Sequence, residues 1–224
     1  MNDMPTWTPT MPEATPLADL PRAHTMFLDL LGQLRVGAEE RADLTAMLRE
    51  PWRRYHGAGH AGLLWDRHLA HGGDRSDAVA AHAIAYHDAV YVVGASDNEA
   101  RSAALWQAHA EGLPARLREA VTRAILATAD HAATHTDPDA AWLVDLDLTP
   151  LGEPWAHFEA SSRALREEAG QPIDRPSAGQ IAFLRRLLTL PRLYRSERHR
   201  AALWRAYEAP ARANLRRVLD GIRP

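Results

Sequence analysis

The chain has 224 residues, 46 % apolar and 25 % charged, a balance that fits a globular fold and excludes a disordered or fibrous one. It contains no cysteine, which removes disulfide scaffolds, thiolate metal sites and cysteine nucleophiles, and is compatible with a reducing cytoplasm. The net charge is −3 and every one of the 26 basic residues is arginine, which argues against a nucleic-acid-coating protein and removes P-loop and Schiff-base lysine chemistry.

Four prolines up to Pro16 break any periodic pattern, so residues 1–15 read as an irregular tail and 16–224 as one helical domain. No basic region followed by an apolar stretch opens the chain, and no segment approaches the roughly 18 apolar residues of a membrane span, so neither a secretory signal nor a membrane partner is expected. Apolar residues at three- and four-residue spacing predict helices within 26–34, 63–69, 78–90, 117–126, 181–190 and 203–219. Asp97 before Asn98-Glu99, and Ser196 before Glu197, read as helix N-caps, and Pro114 suits a first helical turn. The only β-like run, Val90 to Val93, stops at Gly94, and 170–179 is the clearest internal loop. The expected fold class is all-α. Charge is uneven along the chain: from Arg163 on, 14 arginines face 6 acidic residues, against 12 and 23 before it. This reads either as solvated faces of opposite sign or as a basic wall that draws an anionic substrate towards an acidic site.

Twelve histidines are many for this length. His24, His68, His71, His109, His157 and His199 stand alone and read as structural. Four places read otherwise. His56 and His60 are four apart in a glycine-flanked segment running into a helix, a spacing that can aim two imidazoles at one ion. His87-Asp88 ends an apolar helix, where an imidazole and a carboxylate cost several kcal/mol unless paired or metal-bound. Asp145 and Asp147 lie in an apolar segment about 200° apart on a helix, so at most one points inward. His131 and His135 form another pair four apart.

The ordered set resembles the HD superfamily of metal-dependent phosphohydrolases, and within it the small bacterial proteins described as predicted HD phosphohydrolases. The resemblance rests on Tyr55-His56 with His60, on His87-Asp88-Ala89-Val90-Tyr91 followed by Asp97-Asn98-Glu99-Ala100-Arg101-Ser102-Ala103, on Thr128 with His131, on Asp145-Leu146-Asp147-Leu148 with Leu151-Gly152, and on Ala211-Arg212-Ala213-Asn214-Leu215. It runs from about Phe27 to Leu219 and implies an HD-type helical bundle. It also implies His60, His87, Asp88 and Asp147 as metal ligands, Asp147 being preferred to Asp145 for its Leu-Asp-Leu context, which then leaves Asp145 to face solvent or an arginine. Asp88 would in addition orient the nucleophilic water. His56 is similar to the histidine that protonates the leaving group in related cyclic-nucleotide phosphodiesterases, although those have Asn where this chain has Gly57. The Glu-Asp pair that follows the dipeptide in alarmone hydrolases is missing, which counts against alarmones.

A thiolate-free N/O set suits Mn, Fe, Ni, Co or Zn without choosing among them, and a second ion is expected if His131 and His135 converge. Arg53, Arg54 and Arg101, nearest the motifs, would clamp phosphate. The expected function is hydrolysis of a phosphate ester of a small molecule, most plausibly a nucleotide. The alternative is a catalytically silent HD domain that binds a nucleotide and acts through a protein partner.

Overall fold

The computed structural model describes residues 19–222, so the irregular tail expected over 1–15 lies outside the described residues. Among the described residues the chain is all-helical, with ten α-helices and no strand. In chain order these are α1 (Pro21–Gln33), α2 (Ala38–Leu48), α3 (Ala58–Ala70), α4 (Ala78–Tyr86), α5 (Asn98–His109), α6 (Ala115–Ala127), α7 (Pro138–Asp147), a 3-10 turn (Thr149–Gly152), α8 (Trp155–Glu168), α9 (Ala178–Thr189) and α10 (Arg198–Gly221). None is long and apolar enough to cross a membrane.

Helix α4 is the axis of the bundle. Its sequence, AVAAHAIAY, has almost no polar face, and every residue from Ala80 to Tyr86 is buried. Such a helix is stable only if wrapped on all sides, and α1, α3, α5, α6 and α7 surround it. The Asp77 side chain accepts the Ala80 amide and fixes its start. Its end differs from the helix expected over 78–90, because regular structure stops at Tyr86. There the His87 Nδ1 bonds the Ile84 carbonyl, and Arg53 takes the carbonyls of Asp88 and Ala89.

Three large indoles, Trp65, Trp106 and Trp142, are fully buried in the core. Each satisfies its N–H, on the Asp29 carboxylate, the Arg118 carbonyl and the His68 ring respectively, as burial of a polar handle requires. Helix α3 crosses α1 so closely that a Cβ on Gly62 would stand 1.9 Å from the Ala23 carbonyl oxygen. The α7 start is secured by Pro138 and by the Asp137 side chain on two amides. Asp97 sits at the N-cap of α5 with no side-chain bond, whereas Ser196, one residue before the N-cap Glu197 of α10, accepts the Arg198 amide on its hydroxyl at 3.3 Å. The run 90–93 forms an irregular loop, pinned by Asn98 on both backbone groups of Val92 and by Ser102 on those of Val90.

Candidate metal centre

Helix ends deliver the polar groups. His60 lies in the first turn of α3, His87 caps the end of α4 with Asp88 next in the chain, and Asp147 is the last residue of α7. His60 and His87 are buried to within 1–2 % of full burial, while Asp88 and Asp147 are partly open to solvent. The result is a floor of imidazoles under a rim of carboxylates.

His60, His87 and Asp88 lie close enough to hold a metal ion, one donor atom of each within 4.8 Å of the others. Asp147 Oδ1 stands 2.9 Å from His60 Nε2 and 3.7 Å from His87 Nε2, and Asp88 Oδ2 stands 3.0 Å from His87 Nε2 and 3.7 Å from His60 Nε2. Donors about 2.0–2.2 Å from one ion stand roughly 2.8–3.6 Å apart in tetrahedral or octahedral sets, a range that holds the 2.9 and 3.0 Å spacings and that the two of 3.7 Å exceed slightly. Two observations test the fit to a shared ion. His87 Nε2 and Asp88 Oδ2 are buried and face each other without hydrogen-bond geometry, each lacking a partner. The other His87 nitrogen donates to the Ile84 carbonyl at 2.9 Å, which leaves Nε2 with its lone pair turned inward.

The electrostatics point the same way. Burial alone would lower His87 and raise the two carboxyls, but their mutual attraction reverses both effects. Asp88 and Asp147 hold His87 well above the usual imidazole range. His87 and His56 hold Asp88 below the usual carboxylate range, and hydrogen bonds from His131 and His60 do the same for Asp147. A proton on His87 thus occupies the place that a cation would take.

His131 bonds Asp147 Oδ2 at 2.6 Å, on the carboxylate's other side. His135 turns away to the Asp130 carbonyl, 3.3 Å distant, so the two histidines do not converge on a second ion. Asp145 does not face solvent, nor does its carboxylate pair with an arginine side chain. It is buried and accepts the Ser196 amide at 2.7 Å, and burial pushes its carboxyl up to about 6.

His56 stands beside this cluster without joining it. Its Nδ1 lies 2.5 Å from Glu168 Oε1, while Glu168 Oε2 accepts the successive amides of Arg54, Tyr55 and His56. Burial pushes the His56 imidazole down, but Asp88 and the Glu168 hydrogen bond outweigh it and hold the ring above its ordinary value. Tyr91 stacks on His56 with ring centroids 4.2 Å apart, and Trp52, exposed, stacks more loosely on Tyr91.

The three arginines are placed differently from the phosphate clamp expected of them. Arg53 is buried and spends its donors on Glu50 and on the carbonyls of His56, Asp88 and Ala89, so it ties the His56 loop to the His87-Asp88 turn. Arg54 pairs with Glu167, and Arg101 lies exposed on α5. Glu168, 112 residues from His56, escaped the sequence reading, because a glutamate at a helix end among charged neighbours looks like solvent-facing charge. Comparison with protein-family models, with curated proteins and with solved structures gives no match.

Proposed function

We propose that the protein is a metal-dependent phosphohydrolase of HD type acting on a small phosphate ester, most plausibly a nucleotide. The observation that carries this reading is the cluster of His60, His87 and Asp88, with one donor of each within 4.8 Å of the others, and with Asp147 Oδ1 2.9 Å from His60 Nε2. A divalent Mn, Fe, Ni, Co or Zn ion held there would acidify a bound water and polarise phosphoryl oxygens. Asp88, at the rim, orients the water for attack. His56 serves as general acid: with Nδ1 fixed on Glu168, its Nε2 proton is the one available to the leaving oxygen.

The test is metal analysis of the purified protein, then a phosphate-release screen over nucleotides and sugar phosphates with each of the five metals. His60→Ala should lose both metal and turnover. His56→Ala should keep its metal and lose turnover by about 10²–10⁴-fold. Stoichiometric metal with no release from any substrate would replace this reading with a silent binding domain, and equal metal loss in both variants would make His56 a ligand.

A further inference from the structure

A second feature lies outside the metal centre. Between α8, α9 and the last turns of α10 there is a cavity of about 570 Å³, within the size range of small-molecule sites. Trp155 and Phe158 from α8, Phe183 and Leu184 from α9 and Val218 from α10 give it apolar walls, and no residue of the metal cluster lines it. Into this lining the fold sets Arg166, which is only 7 % exposed.

Arg166 donates Nε and Nη2 to one acceptor, the Ile173 carbonyl, at 3.1 and 2.7 Å. No carboxylate among the described residues forms an ion pair with it. Glu159 and Asp174 also line the cavity and favour the charge from further off, but burial outweighs them and lowers the guanidinium below its ordinary value. A carbonyl dipole does not neutralise a full charge, and a buried cation without a counter-ion is costly. An anion entering the cavity would supply the missing partner and cover the aromatic walls in the same step.

We propose that this cavity is a binding site for a small amphipathic anion, whose carboxylate or phosphate pairs with Arg166 and whose apolar body packs against Trp155, Phe158 and Phe183. At the rim, the Arg217 guanidinium lies 3.9 Å over the Trp155 ring and completes a cationic edge. Two of the wall elements also touch residues beside the metal centre, α8 through Glu168 on His56 and α9 through Phe183. Arg166 is one helical half-turn before Glu168, and the Phe183 ring meets His131 edge-on at 6.2 Å. The site is nevertheless independent of the proposed hydrolysis.

The experiment titrates the full chain with anilinonaphthalene sulfonate, an aromatic anion whose fluorescence rises on burial, and displaces it with octanoate, octyl phosphate or octanol. One probe should bind per chain, and the better of the two anions should displace it at a concentration at least about tenfold below that of octanol. The ranking of octanoate against octyl phosphate identifies the head group. Ser162→Trp fills the cavity from α8, one helical turn before Arg166, and should abolish binding with an unchanged circular-dichroism spectrum. Arg166→Met should erase the preference for anions over octanol. Octanol competing as well as either anion, or full probe binding to the folded Ser162→Trp protein, overturns the proposal. Both readouts stand even if Arg166→Met does not fold.

Discussion

Glu168 accepts three consecutive backbone amides on one carboxylate oxygen and the His56 ring on the other, so its charge shapes the loop and, together with Asp88, raises the imidazole above its ordinary value. Glu168→Gln retains most of the shape and removes the charge. In that variant the acid form of His56 should titrate away earlier, moving the alkaline limb of the phosphate-release profile to lower pH by about one unit. An unmoved limb with reduced kcat would mean that Glu168 matters only for loop geometry. The two aspartates of α7 give a second contrast. Asp147→Asn should strip metal and activity, because it removes a formal charge from a group bonded to His60 and His131. Asp145 titrates higher in the folded chain, about 6 against an ordinary 3.8, so burying its charged form costs stability above about pH 6 and nothing below about pH 4. Asp145→Asn keeps an acceptor for the Ser196 amide and removes that cost. Its thermal midpoint at pH 7.5 should equal or exceed the parent's, with metal content intact. Metal loss in Asp145→Asn comparable to that in Asp147→Asn would reverse the ligand assignment.

The elements position these residues through contacts that tolerate little change. Helices α1 and α3 meet at Gly62, where an added Cβ would collide with the Ala23 carbonyl and approach the Phe27 amide to 2.8 Å, both of them backbone atoms that cannot step aside. Gly62→Ala should therefore cost about 2–4 kcal/mol and, lying two residues from His60, weaken metal binding. Gly32, in α1, has open space around its would-be Cβ. Gly32→Ala should leave stability unchanged or raise it by about 0.5–1 kcal/mol. Urea melts of the two variants check the pair, and similar losses would show that the close approach at Gly62 is not what limits it. Arg198 fastens two of the three helices that carry candidate ligands at their far ends, pairing with Asp77 before α4 and Asp139 in the first turn of α7. The ends that carry His87 and Asp147 are thereby held by contacts remote from the site.

At the scale of the whole molecule, a metal bound at the proposed centre would compete with protons. His87 is raised above the ordinary imidazole value by Asp88 and Asp147, so its proton stabilises the metal-free fold fully below the unfolded value of about 6.5, and that contribution is lost as pH rises through the higher folded value. Chelator-treated protein should show a thermal midpoint that falls between pH 7 and 9. A bound ion takes over the proton's role, so the loaded protein should not show this fall, and calorimetry in buffers of different ionisation enthalpy should record proton release on binding. A chelated protein whose midpoint is flat over that range would mean that His87 is already neutral. How much of this was legible beforehand depends on sequence distance. Local chemistry gave the helices, because an apolar repeat and a missing β pattern act within one element; it singled out His87-Asp88 as too polar for an apolar helix end and His56 with His60 by their spacing, while the choice of Asp147 over Asp145 came from the family resemblance. The end of α4 at Tyr86, the turning of Arg53 onto carbonyls 35 and 36 residues away, the union of His56 with Glu168 and the burial of Asp145 against Ser196 were decided only by the tertiary structure. Each depends on which backbone groups a distant segment leaves unsatisfied, and a chain read one window at a time does not carry that information.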